Sequence, residues 1–150
     1  MGTKRFPLFV DLAGKKAVVI GGGTVGLRRA EVLARFGAEV TVVSPALPHR
    51  LEGIRHTPRK YVPGDLAGAF LAIAATDDPQ VNAAAGREAR RLGVLFNRSD
   101  CPSDCDFFFP AICEGAGMVA GLAGDGTDHS KTARTAKEIR KILENNRNET

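Results

Sequence analysis

The chain has no tryptophan, a single tyrosine and only eight phenylalanines. Stacking platforms for nucleic-acid bases and the interleaved aromatics of a sheet-on-sheet core are therefore poorly supplied. Close packing of helices on a sheet, with plentiful alanine and glycine, suits this composition better. No apolar run approaches the ~20 residues of a membrane span, and the N-terminus lacks the apolar stretch of a signal peptide. A cytoplasmic location is expected, with neither membrane nor nucleic acid as a partner. Cysteine is scarce and odd in number (Cys101, Cys105 and Cys113), which excludes a disulfide framework. Those thiols lack further ligands at regular spacing, and His49, His56 and His129 have no telling neighbours, so no metal is expected. The formal charge of +4 is mildly basic. It suits either a solvated surface or a patch for an anionic partner.

At 150 residues the chain can hold one domain with a full core, or one domain and a short appendage. Ala17 to Ile20 is a short apolar run between Lys16 and Gly21, as in a strand buried on both faces. Val25 to Phe36 carries Leu27, Ala30, Leu33 and Ala34 on one helical face, and Gly37 stops it. Val40 to Val43 is a second β-branched run, ended by Ser44 and Pro45. Strand, helix and strand in about thirty residues predict a right-handed βαβ unit. Phe70 to Ala75 predicts another buried strand, Val81 to Leu92 a helix between Pro79 and Gly93, and Val94 to Phe96 a further strand. The alternation predicts an α/β, Rossmann-like doubly wound parallel sheet.

After Asn97 the pattern changes. Residues 98–106 read as a loop, Phe107 to Phe109 and Met118 to Leu122 as short strands about a turn at Glu114 and Gly115, and Ser130 to about Asn145 as an amphipathic helix. This division gives a cofactor-binding domain over residues 1–113 and a strand-and-helix segment over 114–150. The latter, tied to no core of its own, is expected to pack on a second copy, as a short C-terminal hairpin-plus-helix dimerisation segment.

Gly21-Gly22-Gly23-Thr24-Val25-Gly26 contains G-x-G-x-x-G between a buried strand and a helix, the context in which that motif binds a dinucleotide. Gly21 permits the sharp turn, Gly23 a close approach to the pyrophosphate, and Gly26 close helix-on-strand packing, while the helix start offers free N–H groups. The acidic residue that usually ends the second strand is replaced by Ser44-Pro45. With Arg50 nearby, NAD and NADP both stay open on the residues alone. At the carboxyl ends of later strands lie Thr76-Asp77-Asp78 and Asn97-Arg98-Ser99-Asp100. Asp77 and Asp78 precede a helix and suit capping, whereas Asp100 is the better candidate for a proton acceptor.

Further blocks carry a resemblance: Pro7-Leu8-Phe9, Val19 to Val25, Leu71 to Asp78 followed by Val81-Asn82, Asn97 with Asp100, Phe108 to Ile112, and Met118 to Ala120. Together they resemble the precorrin-2 dehydrogenase family, the siroheme-synthase N-terminal type, over about Phe6 to Ala120. The resemblance implies oxidation of precorrin-2, an anionic tetrapyrrole, to sirohydrochlorin with NAD in a homodimer. It implies cofactor contacts at Thr24, Val25, Ser44 and Pro45, beside the glycine turn (Gly21, Gly22, Gly23) and the Thr76-Asp77 loop, with catalysis tied to Asp100. Lys60, Arg98, Lys131 and Arg134 are candidates for the substrate's carboxylates. Chelatase members carry a serine-rich turn where this chain reads Leu122 to Asp128, and the regulatory serine falls at Ala123. That departure and the short C-terminus lower the expectation of metal insertion. A non-catalytic nucleotide-sensing module and a bifunctional dehydrogenase/ferrochelatase are the alternatives.

Overall fold

The structure, a computed structural model, describes residues 4–145. It has two compact units: Val10–Phe107, and a smaller one formed by the segments on either side of it. The expected boundary after Cys113 falls inside a strand of the smaller unit.

The larger unit holds a five-stranded parallel sheet: β1 (Lys16–Ile20), β2 (Glu39–Val43), β3 (Arg55–Thr57), β4 (Leu71–Ala74) and β5 (Leu95–Arg98). Their order is β3-β2-β1-β4-β5, and every pairing is parallel. The apolar runs become the central strands because both of their faces are covered. α1 (Thr24–Arg35) buries Leu27, Ala30 and Leu33 on β1 and β2. α2 (Pro79–Leu92) lays Ala85 and Ala89 against β4 and β5, in a core with Val18, Ile20, Val43, Ala72, Ala74 and Phe96. Gly93 ends α2 in the left-handed conformation, as a C-terminal cap of this kind requires.

β3 carries only Arg, His and Thr, so no apolar signal marks it. It is a short, polar edge strand, the kind that resists pairing with another chain. The connection from β3 to β4 is held by Glu88 of α2, a buried carboxylate that accepts from the Tyr61 hydroxyl and, at 2.7 Å, from the Gly64 N–H. Burial, reinforced by Glu88, pushes the Tyr61 hydroxyl well above its usual range.

The smaller unit contains an antiparallel hairpin, β6 (Ala111–Gly115) and β7 (Met118–Leu122), and α3 (His129–Asn145). Two expectations are corrected. The first strand is Ala111–Gly115 and not Phe107 to Phe109, and the turn is Ala116-Gly117 and not Glu114-Gly115. Gly115 pairs with Met118, leaving a two-residue connection whose φ values are +50° and +72°. Such a turn needs positive φ at both positions, and only its glycine was built for that. The segment also has a small core of its own, in which Cys113, Ala136 and Leu143 are buried beside Ala111, Ala120, Leu122 and Ile139. Arg140 ties the helix to the hairpin by donating to the Ile112 carbonyl at 2.8 Å.

Ala116 is the strained position. Ala116→Gly is expected to stabilise the protein by about 0.5–1 kcal/mol, since the left-handed region costs alanine roughly that or more. Denaturant unfolding at equilibrium measures this, and an unchanged or lower midpoint would contradict it.

Candidate functional site

β1, β4 and β5 are adjacent and parallel, so the loops that follow them emerge at one end of the sheet. The Gly21 turn, the Thr76 loop and the Asp100 loop therefore share that end, where ligands of doubly wound sheets bind.

The glycines differ in what they do. Gly21 has φ +114°, and a Cβ there would run into the carbonyl of Ala75, with its carbon 2.7 Å away. A Cβ on Gly22 would lie 2.6 Å from both the Ser44 hydroxyl and the Ala46 carbonyl. Gly22 is thus explained by packing of the turn on the end of β2. Gly23 meets nothing within 4 Å, and its φ of −80° suits any residue. Nothing inside the fold requires glycine there.

Gly23 is also the N-cap of α1. No side chain caps this helix, and its first turn has no acidic residue. Thr24 and Val25, the expected contacts beside it, are both exposed. Unfilled N–H groups, a positive helix end and open space above Gly23 suit a diphosphate. α2 offers the opposite case. The Asp78 carboxylate accepts from the N–H groups of Gln80 (2.8 Å) and Val81 (3.3 Å), so that end already holds an anion. Asp78→Ala is expected to cost about 1 kcal/mol in thermal or denaturant unfolding, the usual value of such a cap, and no loss would deny it that role.

Ser44 is buried, with its hydroxyl donating to the Ala46 carbonyl at 2.7 Å, while Pro45 is exposed beside it. His56 Nε2 lies 2.8 Å from the Ser44 carbonyl oxygen. Thr76 is fixed by Asn82, whose Oδ1 is 2.7 Å from the threonine hydroxyl and whose Nδ2 donates to the threonine carbonyl at 3.1 Å. Asp77 is exposed. Asn82 is completely buried and reaches Asp100 as well, so one amide joins the loops after β4 and β5. Nothing in the sequence set Asn82 apart from other helix asparagines, apart from its place in the Val81-Asn82 block.

Asp100 is not a lone carboxylate. Arg98 grips it through Nε and Nη2, both at 2.9 Å, and grips Asp104 through Nη1 at 2.9 Å. Arg90 also pairs with Asp104. The Arg98 hydrogen bonds hold Asp100 down to a pKa of about 2, against the opposing effect of partial burial. Arg98 is therefore occupied, with a side chain only 10% exposed, and is withdrawn as a free clamp for a substrate's carboxylates. Arg29 reaches from α1 to Asn97 Oδ1 at 2.6 Å. Cys105 accepts from the Arg98 N–H at 3.2 Å, and burial pushes its thiol up. Among the described residues, no group of three or more His, Cys, Asp or Glu converges as a metal site would require. No described helix is long and apolar enough to cross a membrane.

The parallel sheet, the glycine turn and the uncapped start of α1 define a dinucleotide-binding α/β domain of the Rossmann type. Residues 8–111 match the family described as putative NAD(P)-binding, and the chain belongs to that family, with siroheme synthases among its relatives. Its cofactor is of the NAD type. The chain is 41% identical to a probable multifunctional siroheme biosynthesis protein HemA of Ruminiclostridium josui, over 92% of this chain and 28% of that protein. It is 41% identical to a siroheme synthase of Azotobacter vinelandii, over 80% of this chain and 27% of that one. The chain thus spans about a quarter of the length of the curated relatives it matches. Among solved structures, SirC, a precorrin-2 dehydrogenase, shares the fold with a TM-score of 0.74 at 24% identity, over 92% of this chain and 71% of that one.

Proposed function

We propose that this chain oxidises precorrin-2 to sirohydrochlorin with NAD, without inserting metal. The observation that carries the reading is the shared sheet end. An open helix start, suited to a diphosphate, and a loop bearing an ionised carboxylate follow strands separated only by β4. The relatives in siroheme biosynthesis supply the substrate class.

In this reading the N–H groups at Gly23, Thr24 and Val25 hold the pyrophosphate, with Gly21 and Gly22 shaping the turn. Ser44 and Pro45 form the floor at the end of β2, and Thr76 and Asp77 border the nicotinamide end. NAD, when bound, supplies the acceptor for a hydride. The substrate gives up two electrons and one proton in that form, and a second proton leaves to solvent. Asp100 provides the negative charge beside the reacting carbon. Lys60, on the loop after β3, is the proposed cationic partner of the substrate's carboxylates. Exposed Met118, Val119 and Ile142 on the smaller unit support a homodimer, measured by sedimentation. Cytoplasmic reducing conditions suit the free thiols.

Ala123 offers no hydroxyl where chelatase relatives carry serine, which supports a dehydrogenase alone. The deciding assay incubates the chain with precorrin-2 and either NAD or NADP, following reduced nucleotide and tetrapyrrole absorbance. Turnover with NAD is expected, and metallation at the spontaneous rate. Binding of nucleotide with no turnover would replace the enzyme with a nucleotide-sensing module.

A further inference from the structure

Asp100 sits in an unusual setting for a group expected to take up a proton. Its two oxygens face the Nε and Nη2 of one guanidinium, each at 2.9 Å, in the planar fork that matches a carboxylate. That guanidinium is itself fixed. Nη1 donates to Asp104 at 2.9 Å, Asp104 is paired with Arg90 on α2, and the Arg98 backbone belongs to β5. Arg98 is less exposed than the carboxylate it holds, 10% against 31%. The groups around Asp100 are Arg98 from β5 and Asn82 from α2, with Cys101, Asp104 and Arg90 on the far side, around the guanidinium. Only Arg98 among them contacts Asp100 with a charge.

We infer that Arg98 is a positioning residue for the proposed reaction: its fork sets the direction of the Asp100 carboxylate. This rests on the reading of Asp100 as the acting carboxylate, and it changes what that residue does. A carboxylate so held is a feeble base. It serves as a fixed negative charge, steadying the positive charge that grows on a substrate losing hydride, while the proton passes to water. The pair Arg98 and Asp104 is the frame and Asp100 the working end.

The test titrates Asp100 in the full chain by carboxyl carbon NMR, with the resonance assigned through Asp100→Asn. In the unaltered protein the resonance is expected to stay that of an anion down to about pH 3, whereas in Arg98→Gln its midpoint rises by at least about one pH unit, toward the ordinary ~3.9. Arg98→Lys, which keeps charge but loses the fork, is expected to lie between them. Asp104→Asn, which spares the Arg98–Asp100 pair, is expected to leave the resonance anionic at pH 3. Turnover in Arg98→Gln is expected to fall about tenfold or more through kcat, with NAD affinity within about twofold and partial recovery in Arg98→Lys. The same midpoint in Arg98→Gln and the unaltered protein would overturn the inference. So would full turnover in Arg98→Gln beside an inactive Asp100→Asn. An Asp100→Asn enzyme with full turnover would instead overturn the reading of Asp100 beneath it.

Discussion

Gly23→Val will weaken NAD binding about 100-fold, some 2.7 kcal/mol, while leaving the unfolding midpoint within about 2 °C. The two effects separate because this glycine is surrounded by open space. Its backbone lies in the extended region, where any side chain fits, and an added Cβ touches nothing. A branched side chain would instead occupy the approach to the free N–H groups of α1, so the loss falls on the ligand alone. Gly21→Ala provides the contrast. Its φ of +114° and the Ala75 carbonyl behind it make alanine a defect of the fold, expected to cost about 2 kcal/mol or more before any nucleotide is added. Calorimetric titration beside thermal unfolding reads both. If Gly23→Val bound NAD as the parent does, the start of α1 would not be the diphosphate site.

In the proposed reaction, Asp100→Asn will lower turnover of precorrin-2 by about 10²-fold or more, with NAD affinity changed less than about twofold. Asparagine keeps the shape and one acceptor for Arg98, so the loop stays in place and only the charge is lost. The loss should fall on kcat, the mark of an interaction strongest in the transition state. Single-turnover measurement separates that step from product release. A residual rate above about a tenth of the parent's would show that this carboxylate contributes little beyond structure.

Much of this site could be read from the chain itself. Two central strands, β4 throughout and β1 after its leading Lys16, are unbroken apolar runs, and the glycine turn between β1 and α1 leaves few other conformations. Asp78 before Pro79 announced a cap, and the structure gives it one. β3 was hidden because an edge strand of Arg55, His56 and Thr57 needs no apolar alternation, and its place follows from pairing with β2. The hairpin register is hidden in the sequence because aromatic Phe107 to Phe109 is more strand-like in composition than Ala111 to Gly115. Pro110 lies between the two runs, and the latter pairs because its glycine end meets the Ala116-Gly117 turn. Arg98 looked like a free cation, since nothing in linear order says that a guanidinium will turn toward a residue two places on and another six places on. Ser44 looked available to a ligand, yet burial and the Ala46 carbonyl engage its hydroxyl.

The amide of Asn82 has a consequence of its own. It is fully enclosed, fastens the Thr76 backbone and hydroxyl, and reaches Asp100, yet unlike a carboxylate or imidazole it gains and loses no proton in water's ordinary range. Acidifying the solvent can therefore change the electrical character of this end of the sheet without loosening that rivet.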